Sequence, residues 1–164
     1  MKKHDIIVAI DPDTIKSGVA VLDAETKRIE ISTLVFPELI DFIKYELNNC
    51  NKNNRSLIVL VEAGWLNAKS NFHGQTGYIG QRVAKNVGAN HQTGKHIVEM
   101  CEWMGIETVL QKPLNKGWKG ANGKITHEEL AYFTGITGKT SQDGRDAALI
   151  AWNYAGFQIK VKAK

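Results

Sequence analysis

The chain has 164 residues, 43% of them hydrophobic and 23% charged, with a formal net charge of +4 and an isoelectric point near 9.0. Such a chain is expected to form one domain, spanning 1–164, with enough apolar content to fold without disulfide or metal staples. The longest apolar run, Leu57 to Val61, is far too short to cross a bilayer and no signal-type apolar segment follows the N-terminus, which excludes a membrane-spanning class and leads us to expect a cytoplasmic location.

Residues 6–10, Ile-Ile-Val-Ala-Ile, are a continuous β-branched run of the kind found in strands buried on both faces, and they end at Asp11-Pro12-Asp13. A turn through Lys16, Ser17 and Gly18 leads to a second strand at 19–23. An alternating third strand follows at 28–35. Residues 5–35 therefore predict a three-stranded antiparallel meander. From Pro37 to Leu47 the apolar spacing is helical, with proline near the first turn, and 48–55 is a polar loop. Ser56 to Glu62 is a second buried-type strand that also ends in a carboxylate.

Residues 64–77, which hold Trp65 and Lys69, are rich in Gly, Asn, Ser and Gln and read as a surface loop. A long helix is predicted over 78–103, with Gly88 and Gly94 as candidate breaks. A short strand at 107–110 precedes a loop, 112–124, that contains Lys112, Lys116, Trp118, Lys119 and Lys124 and no acid. Thr126 caps a helix with Glu128 and Glu129 in its first turn. Gly135 and Gly138 end it, and the last helix begins at Asp143. The order β-β-β-α-β-α-β-α-α places the chain in the α/β class. It predicts a mixed five-stranded sheet, three antiparallel strands then two parallel, flanked by helices.

Cys50 and Cys101 have no metal-type spacing and read as two reduced thiols. The positive charge favours a polyanionic partner. Basic and aromatic residues interleaved at 112–124 suit nucleic acid, because lysines neutralise phosphates and an indole can stack on a base. Lys160, Lys162 and Lys164 read as a solvated tail. Trp103, Trp152, Tyr154 and Phe157 sit at helical positions and read as core or contact residues.

Four acids carry the chemistry. Asp11 and Glu62 close the two buried-type strands, and ligands bind outside the carboxyl ends of strands in open α/β sheets. Asp143 and Asp146 are three apart on a helix and share a face. Alone, Asp11 could close a turn, Asp143 could be a helix N-cap and Asp146 could complement the helix dipole. Together they would repel one another unless something compensates. Mg²⁺ does this with oxygen ligands, and two such ions ~3.5–4 Å apart can drive phosphodiester cleavage.

At this point the chain resembles RuvC-type Holliday junction resolvases of the RNase H-like superfamily. The resemblance rests on Ile10-Asp11-Pro12-Asp13 through Ser17-Gly18-Val19-Ala20-Val21, on Val61-Glu62, and on Asp143-Gly144-Arg145-Asp146-Ala147-Ala148. It implies an RNase H-like fold, a homodimer, and cleavage of four-way DNA junctions by paired nicks that leave 5′-phosphate and 3′-hydroxyl ends. It also implies two Mg²⁺ ions per site, replaceable by Mn²⁺, with Asp11, Glu62, Asp143 and Asp146 as catalytic metal ligands. Trp65, three residues after the strand-end Glu62, corresponds to an aromatic wedge at the junction centre, and packing under its own loop is the equal alternative. Lys69 and the lysines of 112–124 correspond to DNA contacts. One departure is Asp13, where the motif usually has glycine. Three other readings stay open: an RNase H-like nuclease with another substrate, a phosphotransferase related to the sugar kinase and actin-like fold, and a DNA-binding module without catalysis.

Overall fold

The computed structural model describes residues 4–67, 77–115 and 117–161, so Lys69, His73, Lys116, Lys162 and Lys164 lie outside the described residues. Within them the chain runs β1 (Ile6–Asp11), β2 (Ser17–Asp23), β3 (Ile29–Leu34), α1 (Phe36–Lys52), β4 (Leu57–Glu62), α2 (Gly77–Trp103), β5 (Thr108–Gln111), α3 (His127–Thr134) and α4 (Gln142–Tyr154). Single 3₁₀ turns stand at Gly64–Leu66 and Ala121–Gly123. The five strands form one sheet in the order β3-β2-β1-β4-β5. β1 pairs antiparallel with β2, and β2 with β3; β4 runs parallel to both β1 and β5. The mixed sheet predicted from the element order is the one observed.

The continuous apolar runs of β1 and β4 reflect a sheet covered on both faces. Ile7 and Ala9 point to one core with Ile58, Leu60 and the α4 residues Ala147, Ala148 and Ala151. Ile6, Val8 and Ile10 point to the other, with Leu39 and Ile43 of α1 and Ile97 and Cys101 of α2. Alanines on α4 let that helix lie close against β1 and β2.

Three local expectations change. α1 continues past Leu47 to Lys52, because Cys50, only 2% exposed, keeps an inward face through the polar stretch. Gly88 and Gly94 do not interrupt α2, and Gly94 is buried in it. α4 starts at Gln142 with Ser141 as its cap, whose Oγ accepts from the Gly144 amide at 3.1 Å, so Asp143 is a first-turn residue. Of the aromatics read as core or dimer contact, Trp103 is 78% exposed and belongs to neither core, whereas Trp152 is buried. The Thr126 cap with Glu129 returning to its amide stands as the sequence suggested, and Gly135 ends α3 in the left-handed conformation at φ 76°. Cys50 and Cys101 are both buried and form no disulfide. No helix among the described residues is long and apolar enough to cross a membrane.

Candidate active site

The parallel register of β1 and β4 pairs Ile10 with Val61, so Asp11 and Glu62 follow as neighbours at the carboxyl end of the sheet. α4 brings the other two acids there, and its start approaches the sheet closely because two glycines permit it. A Cβ on Gly18 of β2 would overlap the backbone carbonyl of Asp143, and one on Gly144 would overlap the Ile31 side chain. Carboxylate oxygens of Asp11, Asp143 and Asp146 consequently all lie within 4.8 Å of one another. Glu62 is not part of that close triad. It lines the same cavity of about 120 Å³ together with Asp11 and Asp146, and its charge acts on Asp11.

Burial, then the charges of Glu62, Asp143 and Asp146, push the Asp11 carboxyl from its ordinary 3.8 up to about 8, against the pull of Lys124. Asp143 is also raised, chiefly by burial, with Asp13 and Asp146 adding to it and Lys124 and Arg145 opposing. At neutral pH the cluster therefore holds a proton on Asp11. Asp146 is tied at both oxygens: Gln142 Nε2 donates to Oδ1 at 3.0 Å, and Lys124 Nζ stands 2.8 Å from Oδ2. The same ammonium is 3.9 Å from Asp143 Oδ1. Burial acts to lower the Lys124 pKa, but the hydrogen bond to Asp146 and the charges of Asp146, Asp11 and Asp143 outweigh it and hold the amine charged.

An all-oxygen set of this kind suits a hard divalent cation such as Mg²⁺ or Mn²⁺, and a carboxylate cluster that holds a proton near neutral pH even beside Lys124 fits the need for one. The same cavity is also lined by the apolar Leu114, Trp118, Ile125, Leu149 and Ile150, with Asn115 and Lys124. Metal-type donors and apolar side chains thus line one cavity.

The basic and aromatic residues singled out in the sequence occupy distinct places. Lys124, grouped there with phosphate-facing lysines, instead sits inside the acid cluster. Lys112 and Lys119 are exposed on the loop, and the Lys119 amide donates to both carboxylate oxygens of Glu129 at 3.1 and 3.2 Å. Trp118 is partly buried against the core beside Phe133, with ring centroids 6.3 Å apart, so much of its indole is committed to packing. Trp65, which the resemblance sets at the junction centre and which could equally pack under its own loop, lies against α2: it meets His91 edge-on at 6.0 Å and lies over Gly94. A ring held that way fixes its own loop. Asp13 is absorbed by the turn after β1, its Oδ1 accepting from the Ile15 amide at 2.8 Å.

Other contributors escaped the sequence reading. Arg145, between the two helical acids, turns away from them and binds the Ile125 carbonyl at 3.0 Å, the Thr140 carbonyl at 2.8 Å and Gln142 Oε1 at 2.8 Å, which stitches the basic loop to α4. Gln142, Asn90 and His91 also matter here. The only local hint was Gln142, four residues before Asp146 and thus on its helical face.

No family model and no curated protein sequence matches the chain. Among solved structures it is similar to that of T. thermophilus RuvC in complex with Holliday junction substrate, with a TM-score of 0.52 and 17% identity over 93% of each chain. The chain thus has the RuvC-like form of the RNase H-like fold.

Proposed function

We propose that the chain is a divalent-metal-dependent endonuclease that resolves four-way DNA junctions. The observation that carries this reading is the meeting of Asp11, Asp143 and Asp146 within 4.8 Å at the carboxyl end of the sheet, with Glu62 lining the same cavity. The shared fold of a protein solved on a Holliday junction supports the choice of DNA substrate.

In this reading Asp11, Glu62, Asp143 and Asp146 hold Mg²⁺, two ions per site, with Mn²⁺ able to substitute. When bound, such ions supply a nucleophilic water at neutral pH and neutralise charge developing on the scissile phosphate. The chain's own residues set the conditions. The Asp11 carboxyl gives up its proton as the cation arrives, so metal affinity rises with pH up to about 8. Lys124 holds the Asp146 and Asp143 carboxylates together before then. Leu114, Trp118 and Leu149 line the same cavity with apolar groups, which strengthens the electrostatics within. Lys112 and Lys119, with Lys69 and Lys116, bind backbone phosphates without reading sequence.

A four-way junction has two equivalent strands to nick, so the active form is a homodimer. Tyr78 and Ile79, 80% and 65% exposed at the start of α2, offer apolar surface to a second copy. The test is gel cleavage of a synthetic four-way junction beside the matching duplex, with Mg²⁺. Selective nicking of the junction is expected, and Asp146→Asn should reduce it at least about a hundredfold, since metal ligation is worth several kcal/mol in the transition state. Equal cutting of both substrates would reject junction selectivity. Undiminished cutting by Asp146→Asn would reject the metal mechanism.

A further inference from the structure

The two strands that carry Asp11 and Glu62 exit into separate loops, and one face of α2 touches both. On the β1 side, the Asn90 amide faces the turn squarely: its Nδ2 donates to Asp13 Oδ2 at 3.2 Å, and its Oδ1 accepts from the Thr14 amide at 3.1 Å. Asp13 in turn organises the loop, with Oδ1 accepting from the amides of Ile15 at 2.8 Å and Lys16 at 3.4 Å. Ser17 closes it, its Oγ accepting from the Asp13 amide at 3.2 Å and donating to the Asp13 carbonyl at 3.3 Å. On the β4 side, His91 lies so near Gly64 that a Cβ there would be 2.8 Å from its Nε2. Its ring also meets Trp65 edge-on. Gly94 is shared by the two sides: a Cβ on it would lie 2.6 Å from the Trp65 ring and 3.1 Å from Pro12 Cγ.

Asn90, His91 and Gly94 fall on one face of α2 by helical spacing. We infer that this face is a brace that sets the spacing of the Asp11 and Glu62 strand ends, making Asn90, His91 and Gly94, with Asp13, positioning residues for the metal site. The inference rests on the metal-dependent reading above. Neighbours that orient ligating carboxylates are worth about ten- to a hundredfold in metal affinity or activity in other metal sites, and these residues act on the loops directly following two such carboxylates. A bond between loop and helix that served the turn alone would leave metal affinity untouched.

The donor and acceptor pattern supplies a clean test. Asp13→Asn keeps an oxygen for the Ile15 amide but turns an amide nitrogen toward the Asn90 nitrogen, so the tie to α2 breaks while the turn persists. Asn90→Asp sets carboxylate against carboxylate. Combining the two restores the tie with donor and acceptor exchanged, since the amide introduced at position 13 donates to the carboxylate introduced at position 90, whose other oxygen still accepts from the Thr14 amide. Mn²⁺ affinity is read by calorimetry without DNA, melting in EDTA, and junction nicking across a Mn²⁺ series. Each single variant is expected to bind Mn²⁺ about tenfold more weakly and to need correspondingly more for half-maximal nicking. The double variant should recover most of that loss. Unchanged Mn²⁺ affinity in both single variants, or losses that simply add in the double variant, would overturn the brace. Wild-type protein that binds Mn²⁺ but cuts no DNA would sink the nuclease reading alone, and wild-type protein that binds no Mn²⁺ would overturn both.

Discussion

Asp11→Asn should make the metal-free protein more stable while abolishing its proposed activity. The Asp11 carboxyl stands at about 8 against an ordinary 3.8, raised first by burial and then by Glu62, Asp143 and Asp146. At 1.36 kcal/mol per pH unit, the ionised form is disfavoured in the folded state by roughly 5–6 kcal/mol. Between pH 3.8 and 8 the folded chain retains a proton that the unfolded chain releases, so stability falls as pH rises through that window. The cost is absent below 3.8 and complete above 8. An amide at position 11 carries no charge and so avoids the cost; with solvent at the cavity mouth and local relaxation reducing that cost, the net gain expected at pH 9 is about 2–4 kcal/mol. For a chain of this size that is a rise in melting temperature of roughly 4–16 °C. The assay is thermal unfolding in EDTA at pH 5, 7 and 9 for wild type and variant. The gap should widen with pH, and added Mn²⁺ should close it by stabilising wild type selectively. A variant that melts at or below the wild-type temperature at pH 9 would refute the electrostatic account of the cluster.

Three further outcomes follow from other contacts. Lys124→Met removes the cation 2.8 Å from Asp146, and should cost about 1–2 kcal/mol in EDTA at pH 7, a deficit that shrinks as Mn²⁺ is titrated in during thermal melts. Gly18→Ala drives a methyl into the Asp143 backbone; overpacking of this kind costs about 1–3 kcal/mol, and chemical denaturation should show that loss together with reduced junction nicking. Asp23 is held near 2, first by its hydrogen bond from Arg55, whose Nη1 lies 2.8 Å away, so Asp23→Asn should cost about 1 kcal/mol at pH 7. That contribution is present above pH 3.8 and lost as pH falls through 2, so urea melts of wild type and variant should converge in strong acid.

The sheet was legible because its signals are short-range. Two β-branched runs, each ended by an acid, required strands covered on both faces, and β1 and β4 lie side by side at the sheet's centre. The meander of residues 5–35 could be read from two apolar runs, one alternating stretch and the turn residues between them. Long-range packing was less accessible. Nothing in the spacing of Trp65 says that Gly94, in the next helix, would hollow a seat for its ring. A lysine followed by isoleucine and threonine gives no sign that Lys124 folds back among the acids instead of reaching for phosphate. Gly94 misled for a related reason: a glycine in a helix usually weakens it, but here the missing side chain makes room for Trp65 and Pro12.

The acid cluster joins these observations. Four carboxylates near apolar side chains conflict with the rest of the sequence, which otherwise buries hydrophobic groups and exposes charge; conflicts of that sort mark functional sites. The metal-free structure relieves the conflict in two ways. A proton on Asp11 removes one negative charge, and the Lys124 ammonium offsets two others. Both are positive charges that a divalent cation would displace, which is why Asp11 and Lys124 should show opposite stability effects in EDTA and why both should fade when Mn²⁺ is present. A cluster kept for structure alone would have no such dependence on the metal. Melting wild type, Asp11→Asn and Lys124→Met with and without Mn²⁺ therefore tests the site as a metal centre before any DNA is added.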